Sequence, residues 1–378
     1  MFLTGCVALP DKAERKEYVK QDGQYVKSVW LSYYEFSQFT MEHSEEEFEK
    51  EVSASFKNLS KKGFTRISVQ VRPFADAMYN SSYFPVSAYF GGMQGSKLNF
   101  DPLEIMCRLG KKYKLEIEAW INPYRVSNDS DFTKLSSDNA ALEWQDTDNI
   151  LVLDKGIYFN PYSKQAQELI INGVKEIAQN YEISSICFDD YFYPSNDYEI
   201  DKTSYDEYVS AGGDLTQGDW RRENVNNLIK EVYSSIKGIN ENIYFGISPA
   251  ANIDNDYENL YADVSLWCSE EGYIDYINPQ IYFGFQNENQ PFMSTVKEWI
   301  KTAGDKTLYV SLPLYKTGTE DEFAGSRGVR EFVENNNIIS RQITYLSKLE
   351  QVNGYYIFSY SFLSDESEEV QNIYSAMQ

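Results

Sequence analysis

Histidine is nearly missing from this chain of 378 residues: His43 is the only one. A zinc site built on several imidazoles is therefore excluded, and Ser-His-Asp or Cys-His schemes lose their base. His43 itself lies in "TMEHSEEE", which reads as a solvated helix entrance and receives no catalytic role. Cysteine is scarce as well. Cys6, Cys107, Cys187 and Cys268 are too widely spaced for a metal motif, and three of them lie in apolar runs that suit small core residues. Positive charge is in short supply: 34 Lys and Arg stand against 58 Asp and Glu, a formal net charge of −24. That balance argues against non-specific binding to nucleic acid or to an anionic membrane, both of which need clustered cations. Beyond the N-terminus nothing is long and apolar enough to span a bilayer. No GxGxxG follows an early strand, so a doubly wound dinucleotide fold is not indicated. Chemistry falls to carboxylates and amides, with no cofactor and no metal expected.

Aromatic residues are plentiful, at 16% with 31 Tyr. They serve either as core packing or as stacking platforms for flat ligand faces such as sugar rings, and composition alone leaves both open. Eight segments rich in Ile, Val, Tyr and Phe read as strands: 28–36, 64–73, 115–124, 184–192, 243–250, 274–283, 307–315 and 354–362. Helical periods alternate with them. Ser44 with Glu47 forms a capping box ahead of Phe48, Val52, Phe56 and Leu59. Asp101-Pro102 and Ser163 open two further helices. Eight strand–helix units predict a (β/α)8 TIM barrel occupying residues 25–378. The strand-to-helix links at 74–100, 125–162 and 193–218 are long, which puts the functional site at the C-terminal ends of the strands.

Polar residues crowd those ends. The first strand is expected to end at Glu35, the second to run into Arg72 and Asp76, and the third to carry Glu118, Asn122, Tyr124 and Arg125. The fourth ends in "ICFDDYFYP", with Asp189, Asp190, Tyr191 and Tyr193; the sixth carries Asn278, Gln280 and Tyr282. Paired carboxylates with aromatics and amides suggest glycoside hydrolysis, in which one carboxyl protonates the leaving oxygen and another attacks the anomeric carbon or activates water. In an extended strand neighbouring side chains point to opposite faces. Only one of Asp189 and Asp190 is then expected to face the barrel axis, with its partner across the barrel. Asp189 is the first choice for nucleophile or base and Asp190 the second. Asp76 or Glu35 is the candidate proton donor. Arg72, Glu118, Asn122, Arg125, Asn278 and Gln280 are candidate substrate contacts, and Tyr124, Tyr191, Tyr193 and Tyr282 candidate stacking rings.

The runs "VWLSYYEFS", "RISVQVRPFADAMYNSSYFP", "LEIEAWINPYRVS", "SSICFDDYFYP", "IDYINPQIYFG" and "LYVSLPLYKTG" resemble the bacterial glycosyl hydrolase-like family ten, over about residues 25–378. The resemblance implies a (β/α)8 enzyme, often an envelope lipoprotein, with a characterised branch acting on peptidoglycan glycan strands stripped of peptide. A polysaccharide substrate is expected on that ground. "FLTGC" fits this picture as a lipobox remnant, with Cys6 as the lipidated residue, residues 1–24 as a flexible tether and the cell envelope as the location. Its upstream charged and apolar stretch is missing, so the start is read as truncated. Two positions depart from the family pattern: Glu118 and Cys187 stand where His is usual. The departures favour, as the alternative, a non-catalytic glycan-binding lipoprotein with a degenerate barrel.

Overall fold

A computed structural model describes residues 25–41, 43–364 and 366–378. Cys6 and the tether expected over 1–24 lie outside the described residues. Among the described residues eleven strands are present: β1 Val26–Leu31, β2 Arg66–Arg72, β3 Glu116–Ile121, β4 Arg125–Ser127, β5 Ile150–Leu153, β6 Gly156–Phe159, β7 Ser185–Phe188, β8 Tyr244–Ile247, β9 Tyr276–Ile277, β10 Thr307–Pro313 and β11 Gly354–Phe358. Eight of them close a barrel in the cyclic order β1-β11-β10-β9-β8-β7-β3-β2, and every pair in it is parallel. The barrel closes where the first strand meets the last, with Val26 opposite Gly354 and Val29 opposite Ile357.

All eight expected barrel strands are found, and each stops short of the expected C-terminal end. After β1 a helix replaces the expected end of the strand. Its ladder ends at Leu31, and Ser32 starts a helix, Tyr33–Thr40. Glu35 therefore stands at the third helical position, and its Oε2 accepts from the Ser32 amide at 2.6 Å. This reciprocal cap outweighs the β-propensity of the Tyr-Tyr pair. The helix starts at Ser44, Asp101 and Ser163 are as expected, each side chain accepting from an amide of the first turn.

The three long links are real, and the second carries structure of its own. Between β3 and the helix Lys164–Asn180, strands β4, β5 and β6 form a separate antiparallel sheet in the order β4-β6-β5. Strands of three or four residues leave too few alternations to be read from the sequence. This small sheet carries Arg125 at its first position, on the C-terminal side of the barrel.

Side chains alternate between two cores. Val29, Leu31, Ile67, Val69 and Ile117 face outward into the layer shared with the helices. Inside the barrel Val26, Trp30, Cys187, Tyr276, Tyr309 and Tyr356 form a second cluster. Below that aromatic plug lies a buried ionic centre. Glu118 is fully buried, and its Oε2 accepts from Ser185 (2.7 Å), Tyr276 (2.6 Å) and Tyr356 (3.0 Å), with the Arg66 guanidinium at 3.4 Å. Cys187 is buried in the same interior, and burial pushes its thiol well above the ordinary range.

A β-bulge in β2 re-aims one expected contact. Gln70 pairs with Trp120, but Arg72, not Val71, is opposite Ile121. The extra residue turns Arg72 from the barrel interior to the outer face. Its guanidinium lies 4.4 Å from the Phe84 ring, and a Cβ added at Gly173 of the neighbouring helix would sit 2.7 Å from its Nη1.

Candidate active site

A cavity of about 560 Å³ opens at the C-terminal ends of the barrel strands. Its floor is the upper surface of the aromatic plug: Trp30 and Trp120 meet edge to face at 4.8 Å, with Phe358 beside Trp120 at 6.4 Å. Trp30 Nε1 donates to Ser311 Oγ at 3.0 Å, and Ser311 Oγ donates to Asn278 Oδ1 at 3.0 Å. Asn278, expected as a ligand contact, is thus a buried brace for the floor and does not itself line the cavity. Aromatic rings also wall the mouth, including Tyr33, Tyr34, Tyr191, Tyr282, Tyr315 and Phe362.

The pair Asp189-Asp190 sits where β7 ends. Pairing on both sides stops at Phe188, and the chain then turns, with the Phe192 amide donating to the Asp190 carbonyl at 3.0 Å. Because the extended path ends there, strand alternation no longer applies, and both carboxylates lie at the mouth. Asp189 lines the cavity with 3% exposure and accepts from Trp120 Nε1 at 3.1 Å. Asp190 is half-buried and accepts at 3.1 Å from Nε2 of Gln280, which lines the cavity. Burial, reinforced by the Asp190 charge, pushes Asp189 up to about 7; Arg125 and the Trp120 hydrogen bond oppose it. Burial raises Asp190 to about 6 against its own backbone amide and the Gln280 amide.

Arg125 is the one cation among the described residues lining this cavity. Its guanidinium lies between two rings, 4.8 Å from Phe74 and 5.0 Å from Tyr191. Nη2 reaches the Pro73 carbonyl at 3.4 Å, and the buried Nε has no partner. Asn122 is buried and accepts from the Arg125 amide at 3.0 Å, so it sets the turn that presents Arg125.

Glu35 also lines the cavity, but its oxygens are committed. Besides the Ser32 amide at Oε2, Oε1 accepts from Ser359 Oγ at 2.5 Å and the Ser361 amide at 2.6 Å. It ties the helix after β1 to the segment after β11. The other expected donor, Asp76, does not line the cavity. It is buried beside Gln94, whose Nε2 donates at 3.1 Å, and burial raises it to about 6.

Five of the expected ligand contacts, besides Asn278, do not line this cavity. Arg72 faces outward at the bulge, Glu118 is locked in the ionic centre, and Asn122 holds its turn. Tyr124 is fully buried in the outer core. Tyr193 is buried beyond the turn, edge to face with Tyr261 at 5.2 Å and with the Arg221 guanidinium at 5.2 Å. The expected residues that do line it are Glu35, Arg125, Asp189, Tyr191, Gln280 and Tyr282. Sequence reasoning missed the floor pair Trp30 and Trp120, and also Gln70. Inward positions of parallel strands gave a signal: each alternates with outward aliphatics. Asp256 was missed too. It is fully buried in the helix Ile253–Asn259, with neither carboxyl oxygen in hydrogen-bonding geometry, and burial with the nearby Asp190 charge raises it to about 9 against a weak pull from the Ala250 amide.

The fold is shared with known glycosidases. The Bordetella bronchiseptica PgaB (BpsB) glycoside hydrolase domain superposes with a TM-score of 0.62 at 9% identity, covering 93% of this chain and 99% of that one. The catalytic domain of a Paenibacillus polymyxa β-amylase gives 0.58 at 10% identity, covering 94% and 98%. Sequence relatives are nearer. "Glycosyl hydrolase YngK" of Bacillus subtilis is 34% identical over 329 residues, 80% of this chain and 61% of that protein. "Glycosyl hydrolase DigH" of Escherichia coli K12 is 28% identical over 337 residues, 81% of this chain and 74% of that protein. The chain thus spans about three-fifths of its Bacillus relative. The glycosyl hydrolase-like 10 model matches residues 25–323, and the chain belongs to that family.

Proposed function

We propose that the protein hydrolyses glycosidic bonds in amino-sugar glycan strands of the peptidoglycan type, at the cell envelope, held there by lipid on Cys6. The observation that carries this reading is the pair Asp189-Asp190, both raised toward neutral pH, with Asp189 lining an aromatic-walled cavity at the strand ends and Asp190 held by Gln280 of the same lining. A carboxyl whose acidity lies near the working pH can give up and recover a proton in one cycle. Asp189 exchanges that proton with the leaving oxygen, and Asp190 is its ionised neighbour. Glu118 and Cys187 lie in the barrel interior, outside the cavity lining, so this reading does not draw on either of them. Support for the location is the Cys6 motif alone.

The test is release of reducing ends from peptide-free glycan strands by the purified protein. New reducing ends and a ladder of shorter products are expected; tight binding without turnover would overturn the reading in favour of a glycan-binding protein.

Arg125 supports an anionic sugar. A guanidinium held between rings, with a buried Nε free of any partner, is suited to the lactyl carboxylate of a muramic residue. Arg125→Gln is expected to raise KM about 10-fold on lactyl-bearing strands, by loss of a charged hydrogen bond, with less change on neutral chitooligosaccharides. Removing its charge also lets Asp189 rise further, so the alkaline limb of the pH–rate profile moves to higher pH. Tyr191, half exposed at the mouth, is a stacking ring; Tyr191→Ala should raise KM about 5-fold, an effect of about 1 kcal/mol, with kcat little changed in steady-state kinetics.

A further inference from the structure

Among the described residues the cavity has Asp189 as its proton donor on the reading above and no free second carboxylate across from it. In the cyclic strand order β11 stands four places from β7, directly opposite. The segment after β11 supplies Ser359 and Ser361, and between them and Ser32 the one carboxylate among the described residues lining that wall, Glu35, already accepts three hydrogen bonds. Asp76 and Glu118 do not line the cavity. A two-carboxylate displacement needs an available partner across the sugar ring, roughly 5–9.5 Å from the donor. Instead the donor, which accepts from Trp120 of the floor, has a second carboxylate as its chain neighbour: Asp190 accepts from Gln280 and lies close enough to Tyr282 to act on it, and both of those residues line the cavity. An apolar floor beside a carboxylate fits a small group with a methyl and an N–H, as in an acetamide.

Resting on the glycosidase reading above, we infer that the nucleophile is the substrate's own 2-acetamido group, with Asp189 exchanging the proton and Asp190 accepting the amide N–H. In the first step the acetamido carbonyl oxygen bonds to the anomeric carbon. The bond to the leaving oxygen breaks, and that oxygen takes the proton from the Asp189 carboxyl. The resulting cyclic oxazolinium carries its charge on N–H, facing the Asp190 carboxylate. In the second step water bonds to the anomeric carbon, its proton passes to the Asp189 carboxylate, and the carbon–oxygen bond of the five-membered ring breaks to restore the acetamide. The sum is hydrolysis, and two displacements at one carbon retain its configuration.

The wild-type protein is tested in two ways. Proton NMR of the first product formed from N-acetylated glycan strands reads the anomeric configuration. Calorimetry and inhibition with the 1,2-thiazoline of N-acetylglucosamine read the cyclic intermediate. Retention is expected, with the thiazoline binding at least about 100-fold tighter than N-acetylglucosamine, as an intermediate analogue should. Inversion, or mass-spectrometric trapping of a 2-fluoro sugar on Glu35, overturns this inference while leaving the glycosidase reading standing. Failure to cleave any strand removes both. Asp190→Asn separates the two carboxyls: it should weaken thiazoline binding about 10-fold or more, and unchanged binding would remove the assigned role of Asp190.

Discussion

Asp189→Asn is expected to lower kcat on glycan strands by about 10³-fold, within the range for losing a positioned acid–base group. The amide keeps the size of the side chain and can still meet Trp120 Nε1 through its oxygen, 3.1 Å away in the native protein. What it loses is the exchangeable proton. Wild type should show a bell-shaped pH–rate profile whose limbs belong to the coupled pair, with apparent values near 6 and 7. The alkaline limb reports loss of the proton from Asp189 and should vanish in the variant. A damaged fold would also lower the rate, so melting is the control. A buried carboxyl raised above its unfolded value favours the fold at low pH, and that advantage is lost as pH rises through about 7. Removing it should therefore leave the Tm unchanged in acid and raise it above neutrality. A rate within 10-fold of wild type would take the proton transfer away from Asp189.

The second large effect concerns stability. Asp256 is buried with neither carboxyl oxygen in hydrogen-bonding geometry, and burial raises its pKa from 3.8 to about 9. Below about pH 4 it is protonated whether the chain is folded or not and has no effect. Between its unfolded and folded values the unfolded chain releases a proton that the folded chain keeps, so stability falls by about 1.4 kcal/mol per pH unit. At pH 7 that loss reaches about 4 kcal/mol. Asp256→Asn removes the titration and leaves one buried amide to satisfy, at a cost of about 1–2 kcal/mol. The variant should gain about 2–3 kcal/mol at pH 7 and more at pH 9, and should be no more stable than wild type at pH 4. Urea unfolding at the three pH values checks this; a gain independent of pH would mean that Asp256 is ionised in the fold. Because Asp190 contributes to the shift, the same substitution should leave the acid limb of the activity profile in place, or move it slightly.

The strands were legible because a parallel barrel buries both faces, and runs such as "TRISVQVR" advertise it. The site was legible only in part. Asp189, Arg125 and Gln280 stand at or just beyond strand ends, where the chain is forced outward. Arg72 was misplaced because one bulged residue reverses every side chain after it. Glu35 was misplaced in structure, though not in space, because Ser32 and Glu35 cap a helix inside what reads as a strand. Tyr193 and Tyr124 show that an aromatic near a rim is as readily core as ligand platform. Asp256 could not be found, since nothing in a short helix announces that its fourth residue points inward.

Barrel closure has a practical consequence. The family match ends at residue 323, whereas the strand that joins β10 to β1 spans Gly354–Phe358. A fragment cut at the end of the match would expose one backbone edge of β1 over Val26–Val29 and of β10 over Tyr309–Pro313, and it would release Glu35 from Ser359 and Ser361. Such edges pair with one another between molecules. Truncations designed from the recognisable part of the sequence should therefore keep β11 and also the helix Glu368–Ala376, which buries Val370 and Ile373 in the outer core, or the product will be an aggregate whose inactivity says nothing about catalysis.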